Sequence, residues 1–166
     1  MAIPESAVLL AGFILAHAVW SVSDLPKGEL LVPLAIIEKS GQRELLRFEA
    51  ETQVQAINNG KAAVAKRQAD ADAWAFAREG QFKEGDKYVD VISVDVWAKG
   101  MDAPMTFVQR FQPFASGEFK LLGEAWVVID GKVQTGTVPD QLIAQLNRGI
   151  QSHSKAAKLW PDWHKK

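Results

Sequence analysis

The chain has no cysteine. That absence excludes disulfides, thiol catalysis and thiolate metal sites, and it fits a reducing compartment. An excess of either charge is missing too: 19 basic against 20 acidic side chains give a net charge of −1. No basic field gathers nucleic acid or anionic lipid, so neither nucleic acid nor membrane is an expected partner. Signature loops are absent as well. Gly80-Gln81-Phe82-Lys83-Glu84-Gly85 lacks the Lys-Ser/Thr ending of a P-loop and the three glycines of a dinucleotide fold, and there is no GxSxG elbow. Histidine is scarce: His17, His153 and His164 are the three present, and none pairs at i, i+4 with another ligand-type residue. No metal site and no cofactor are expected from that spacing.

Repeats, low-complexity tracts and Pro/Gly/Ser linkers are also missing, and 166 residues suit one domain spanning 1–166. Such a length buries about 70% of the unfolded surface without a covalent staple. What the chain does have is an apolar opening, MAIPESAVLLAGFILAHAVWSV, between Glu5 and Asp24. Residues 7–22 fall short of the ~20 apolar residues of a membrane span. Ala16-His17-Ala18 fits the small-x-small rule of a cleavage site, but no Lys or Arg precedes the run. The spacing predicts a core helix, started by Pro4 at a first-turn position with Glu5 near the positive end of its dipole. Its apolar residues lie on all sides, as in a helix with little solvent face. The corresponding location is cytoplasmic; the alternative is an exported protein with residues 1–18 as signal peptide.

Beyond that helix, residues 29–38 read as a strand in which Pro33 marks an edge or bulge, and residues 43–50 as its hairpin partner. The proline-free, alanine-rich stretch 51–79 reads as a long helix, begun near Thr52, open to a kink at Asn58-Asn59-Gly60 and ended by Gly80. Its narrow stripe is Ala62, Ala65, Ala69, Ala73 and Phe76, with Trp74 packing under a loop or a partner subunit. Residues 87–98, 105–114 and 118–130 read as an antiparallel meander. A last helix opens at Thr137 to Asp140, a capping-box spacing, carries Leu142, Leu146, Ile150, His153, Ala157 and Trp160 on one stripe, and ends at Pro161. The expected fold is α+β, a five-stranded, largely antiparallel sheet in the element order α-ββ-α-βββ-α.

Alternation on the meander sets Ile92, Phe107 and Val127 toward a helix-covered core. The opposite face then carries Asp95, Arg110 and Glu124 beside Trp97 and Trp126. One reading of that face is a cross-strand ion-pair ladder, the tryptophans covered by a loop, a helix or a second subunit. The other is a pocket lined by Trp97 and Trp126, in which Arg110 holds a small anionic ligand and Asp95 or Glu124 transfers protons. With many aromatics, near-zero charge and no catalytic signature, the reading is a non-enzymatic binding or adaptor module, homodimeric or bound to a protein partner through an exposed tryptophan-bearing face. The alternative is a small-molecule enzyme using Asp95, Arg110 and Glu124.

Overall fold

The computed structural model describes residues 3–129, 131–134 and 140–164. The fold is α+β with one antiparallel sheet, as expected, but the sheet has seven strands rather than five, in the order β2-β1-β3-β4-β5-β6-β7. The elements are α1 (Glu5–Val22), β1 (Leu34–Lys39), β2 (Gln42–Arg47), α2 (Gln53–Arg67), β3 (Ala73–Glu84), β4 (Lys87–Ala98), β5 (Met105–Gln112), β6 (Lys120–Ile129), β7 (Lys132–Gln134), α3 (Asp140–Gln151) and α4 (Ser154–Trp163).

The helix α1 is apolar on nearly all sides because most of it is covered, leaving Leu9, Phe13, His17, Trp20 and Ser21 half-buried. One side lies on β3 and β4, where Ala73, Ala75 and Ala77 keep the sheet surface low and Ile92, Val94 and Val96 fill the rest. The other side takes α3 and α4. Ala7, Val8, Leu10, Ala11, Ile14 and Leu15 have no solvent exposure at all. Pro4 caps its start in extended conformation. Against α3 the two backbones nearly touch: a Cβ added to Gly12 would lie 2.2 Å from the Leu146 carbonyl oxygen, and one added to Gly149 would lie 2.3 Å from that of Leu9.

Two expectations fail in the middle of the chain. The helix read over 51–79 ends at Arg67; a single turn of 3-10 helix follows, and Ala73–Glu84 is the interior strand β3. Ala62, Ala65 and Ala69 are exposed, and α2 buries Ala56, Gly60 and Val64 instead. Thr52 does start the helix, its Oγ1 accepting from the Gln55 N–H at 3.1 Å, and the helix runs unbroken through Gly60 to Arg67. That glycine sits against Phe76, which a Cβ would approach to 2.2 Å. So α2 packs on the face of the sheet opposite α1, over β1 and β3, and Trp74 donates from Nε1 to Gln68 Oε1 at 2.9 Å. The first half of β3, Ala73 to Ala77, is buried on both faces, which removes the polar/apolar alternation that marks a strand.

Smaller departures follow. Pro33 precedes β1 rather than lying within it, and β1 is interior, paired with both β2 and β3. The last helix is two, because the chain turns at Ser152 and His153, whose Nδ1 accepts from Ala156 N–H and caps α4; Pro161 lies inside α4. Strand β7 is an addition, formed by a hairpin through Gly131. The capping residue Thr137 lies outside the described residues. The meander β4-β5-β6 is present, with Ile92, Phe107 and Val127 in the core.

Candidate functional site

The three charges read from the meander do not share a site. Register places Asp95 opposite Thr106 and Arg110 opposite Val91, with the Ser93/Val108 pair between them. At ~3.3 Å per residue this is about 13 Å along the strands. Asp95 is taken by Arg78 (2.7 Å) and by the Thr106 hydroxyl (2.7 Å). Arg110 pairs with Glu84 at 3.2 Å and lies over the Trp126 ring at 4.5 Å. Trp126 in turn meets Phe82 edge-on. Trp97 is buried at the far end of β4, its Nε1 donating to the Met101 carbonyl. Of the six tryptophans four are buried and two are partly exposed.

Glu124 leaves that face altogether, and the reason is a bulge. Val108 pairs with Trp126 and Arg110 with Leu122. Between those pairs β5 has only Gln109, while β6 has Gly123, Glu124 and Ala125. Two extra residues restore the alternation for Leu122 and Trp126 but re-aim those between them, a common use of bulges near binding sites. Gly123 takes φ +71°, and a Cβ there would lie 2.8 Å from the Arg110 guanidinium, so glycine serves both the backbone angle and the arginine's position. Glu124 then faces the helix side of the sheet.

There it borders a cleft of about 370 Å³ between the bulge and the helices α3 and α4. The walls are Leu146 and Ile150 of α3 and Trp160 of α4, with Asn147 and Gln151 at the rim. Gln109 forms the floor and is 2% exposed. Its Nε2 donates to the carbonyls of Arg110 (3.0 Å) and Gly123 (3.1 Å). Its Oε1 has no hydrogen-bond partner among the described residues, nor is it sealed from solvent as His17 Nε2 and Arg110 Nε are. Gln109 lines the cleft. His164 bridges the Trp160 and Gly123 carbonyls at 3.3 and 3.2 Å, tying α4 to the bulge.

The α3–α4 corner is fixed from behind by a pair of histidines, His17 and His153. With His153 Nδ1 accepting from Ala156, its Nε2 carries the proton and donates to His17 Nδ1 at 3.1 Å. Both imidazoles are held below their ordinary pKa: His17 chiefly by burial and then by the nearby His153, Arg47 and Lys155, and His153 chiefly by burial. Among the described residues no group of three or more His, Asp or Glu side chains is arranged to hold a metal ion. At the far end of α1, Glu79 accepts from the Leu31 N–H at 3.0 Å, and burial raises its pKa above the usual carboxylate value.

Sequence reading found Glu124 but placed it on the wrong face. Gln109 lies with Phe107 on the core side of β5, and a glutamine in a core register is a signal, since buried polar groups find partners. No known family model, curated protein or solved structure matches the chain.

Proposed function

We propose that this protein is a non-enzymatic binding module for a small molecule, held in the cleft between the β6 bulge and helices α3 and α4. The observation that carries the reading is Gln109, an almost fully buried amide fixed by two backbone carbonyls, its Oε1 without a hydrogen-bond partner among the described residues, at the floor of a concave cavity with mixed apolar and polar walls. Few convergent polar groups in an apolar hollow are the usual form of a ligand site. Binding is favoured over catalysis because the acid–base candidates do not converge. Asp95 and Arg110 are committed to other partners, and both ring nitrogens of His164 lie against carbonyl oxygens. Binding of a small molecule is favoured over a tryptophan-anchored homodimer because the tryptophans make internal contacts.

The location follows the role of α1. Removal of residues 1–18 would take out the helix around which the sheet and α3 pack, and this supports the cytoplasmic reading; N-terminal sequencing of the protein from its natural cell checks it. For binding, the test is a ligand-observed NMR screen of small polar compounds against the wild type and Asn147→Trp, which fills the cleft from an exposed helix position. The reading expects compounds that bind the wild type and lose binding in the variant. Compounds that bind both equally, or a screen with no binders, would overturn it.

A further inference from the structure

We infer that the cleft selects a small organic cation, an amine or guanidinium on a short aliphatic body; this rests on the cleft being the ligand site. The inference starts from the Gln109 amide, whose two ends are not interchangeable. Rotating it would place Oε1 against the Arg110 and Gly123 carbonyls, which Nε2 now contacts at 3.0 and 3.1 Å. The floor is thus an acceptor by construction, and a ligand that cannot donate leaves it unpaired in a desolvated place, which is costly.

The second polar group is an acceptor also. Glu124 makes no hydrogen bond or ion pair with any described residue, and the bulge turns it to the cleft. Among the described residues no Lys or Arg lines the cavity, and none of them is a counter-ion to the carboxylate. Asn147 and Gln151, exposed on α3, can adapt to either donor or acceptor and do not decide the sign. His164 also lines the cleft, but its ring nitrogens are turned to the Trp160 and Gly123 carbonyls, which leaves one neutral acceptor and one anion among the described residues to meet a ligand. An N–H cation satisfies both, and charge-assisted bonds to a carboxylate are the stronger kind. An anionic ligand meets Glu124 with like charge.

Size and walls limit the rest. A cavity of about 370 Å³ is near the small end for ligand sites. Leu146 and Ile150 offer surface to a few methylenes, and Trp160 offers an aromatic ring that a cation can approach. The small anion expected at Arg110 is not supported, because that guanidinium is held by Glu84 and Trp126.

Isothermal titration calorimetry of the full chain at pH 7.5 tests this with four probes of one chain length: n-butylamine, n-butylguanidinium, n-butanol and butyrate. The expected result is saturable binding of the two cations, at least about tenfold tighter than n-butanol, with butyrate not binding. Glu124→Gln, an exposed position that should fold normally, is expected to weaken the cations about tenfold while leaving n-butanol unchanged. Asn147→Trp is expected to abolish all binding. If n-butanol or butyrate binds as well as the cations, or if Glu124→Gln has no effect on them, the ligand class is overturned while the cleft remains a site. If no probe binds, or the cations bind Asn147→Trp as before, both readings fall.

Discussion

Substituting Gly149 by alanine should unfasten α3 from α1, and the structure sets the size of the effect. A Cβ at this position would lie 2.3 Å from the Leu9 carbonyl oxygen, 2.9 Å from Gly12 Cα and 3.0 Å from the Leu9 carbonyl carbon. Comfortable contact between such atoms is about 3.5–4 Å, so the helices must part by about 1 Å. The atoms in the way are all backbone, in a helix whose Leu10 and Ala11 are fully buried, and no rotamer change can make room. Alanine in place of glycine within a helix favours folding by about 1 kcal/mol. Overpacking of a well-filled core costs about 1–3 kcal/mol, and here sits at the upper end because backbone must move. The net expectation is a loss of about 1–2 kcal/mol, read as a lower urea midpoint by far-UV circular dichroism and tryptophan fluorescence. Gly12→Ala should behave alike, and the double variant should lose less than the sum, since the first substitution already separates the helices. Gly80→Ala is the control, with nothing within 4 Å of the added atom. If Gly149→Ala is as stable as the wild type or more so, the close crossing of α1 and α3 is not a feature of the fold.

Further expectations concern charge and the N-terminal helix. With both histidine pKa values lowered, the unfolded chain takes up protons near pH 6.5 that the fold refuses. Stability is then complete above that pH and falls as pH drops below it, and His153→Asn, which can still cap α4, should flatten the profile of urea midpoints between pH 7.5 and 5. Glu79 has the opposite sign: its raised pKa makes the neutral form the favoured one in the fold, so its contribution is present at low pH and lost as pH rises. Glu79→Gln should therefore be at least as stable as the wild type at pH 7.5 by the same assay. Asp95→Asn should cost about 1 kcal/mol through the Arg78 and Thr106 bonds and leave ligand binding unchanged; altered affinity in calorimetry would return Asp95 to the site. Deleting residues 1–22 should leave no cooperative unfolding transition, because α1 is the centre of the core.

The parts of this fold legible in the sequence were those with a one-sided environment. The β4-β5-β6 meander alternates outside its bulge, and the core-facing side of Ile92, Phe107 and Val127 is readable from the two-residue period alone. Thr52 and Pro4 announced their helix starts by ordinary end chemistry. Strand β3 was not legible because its alanines, good helix formers, serve the close approach of α1 on one face while Trp74 and Phe76 meet other cover on the second. Local propensity and tertiary role disagree there, and the tertiary role prevails. The site was half legible for a similar reason. Gly123 within a strand pattern is a bulge signal, but which residues the bulge re-aims depends on the pairing with β5, and register is a property of two strands together. Hence the sequence marks Glu124 but not its neighbours, and the value of Gln109 lies in carbonyls of its own and the adjacent strand, which only the pairing reveals.

The most direct measurement is an NMR titration of uniformly ¹⁵N-labelled protein with n-butylguanidinium, following the side-chain NH₂ pair of Gln109 and the indole N–H of Trp160. Binding in the cleft predicts saturable shifts of both sets of signals along one isotherm, together with backbone shifts confined to the β6 bulge, α3 and α4. Saturable shifts elsewhere with Gln109 and Trp160 unmoved, or no saturable shift at all, would contradict the account.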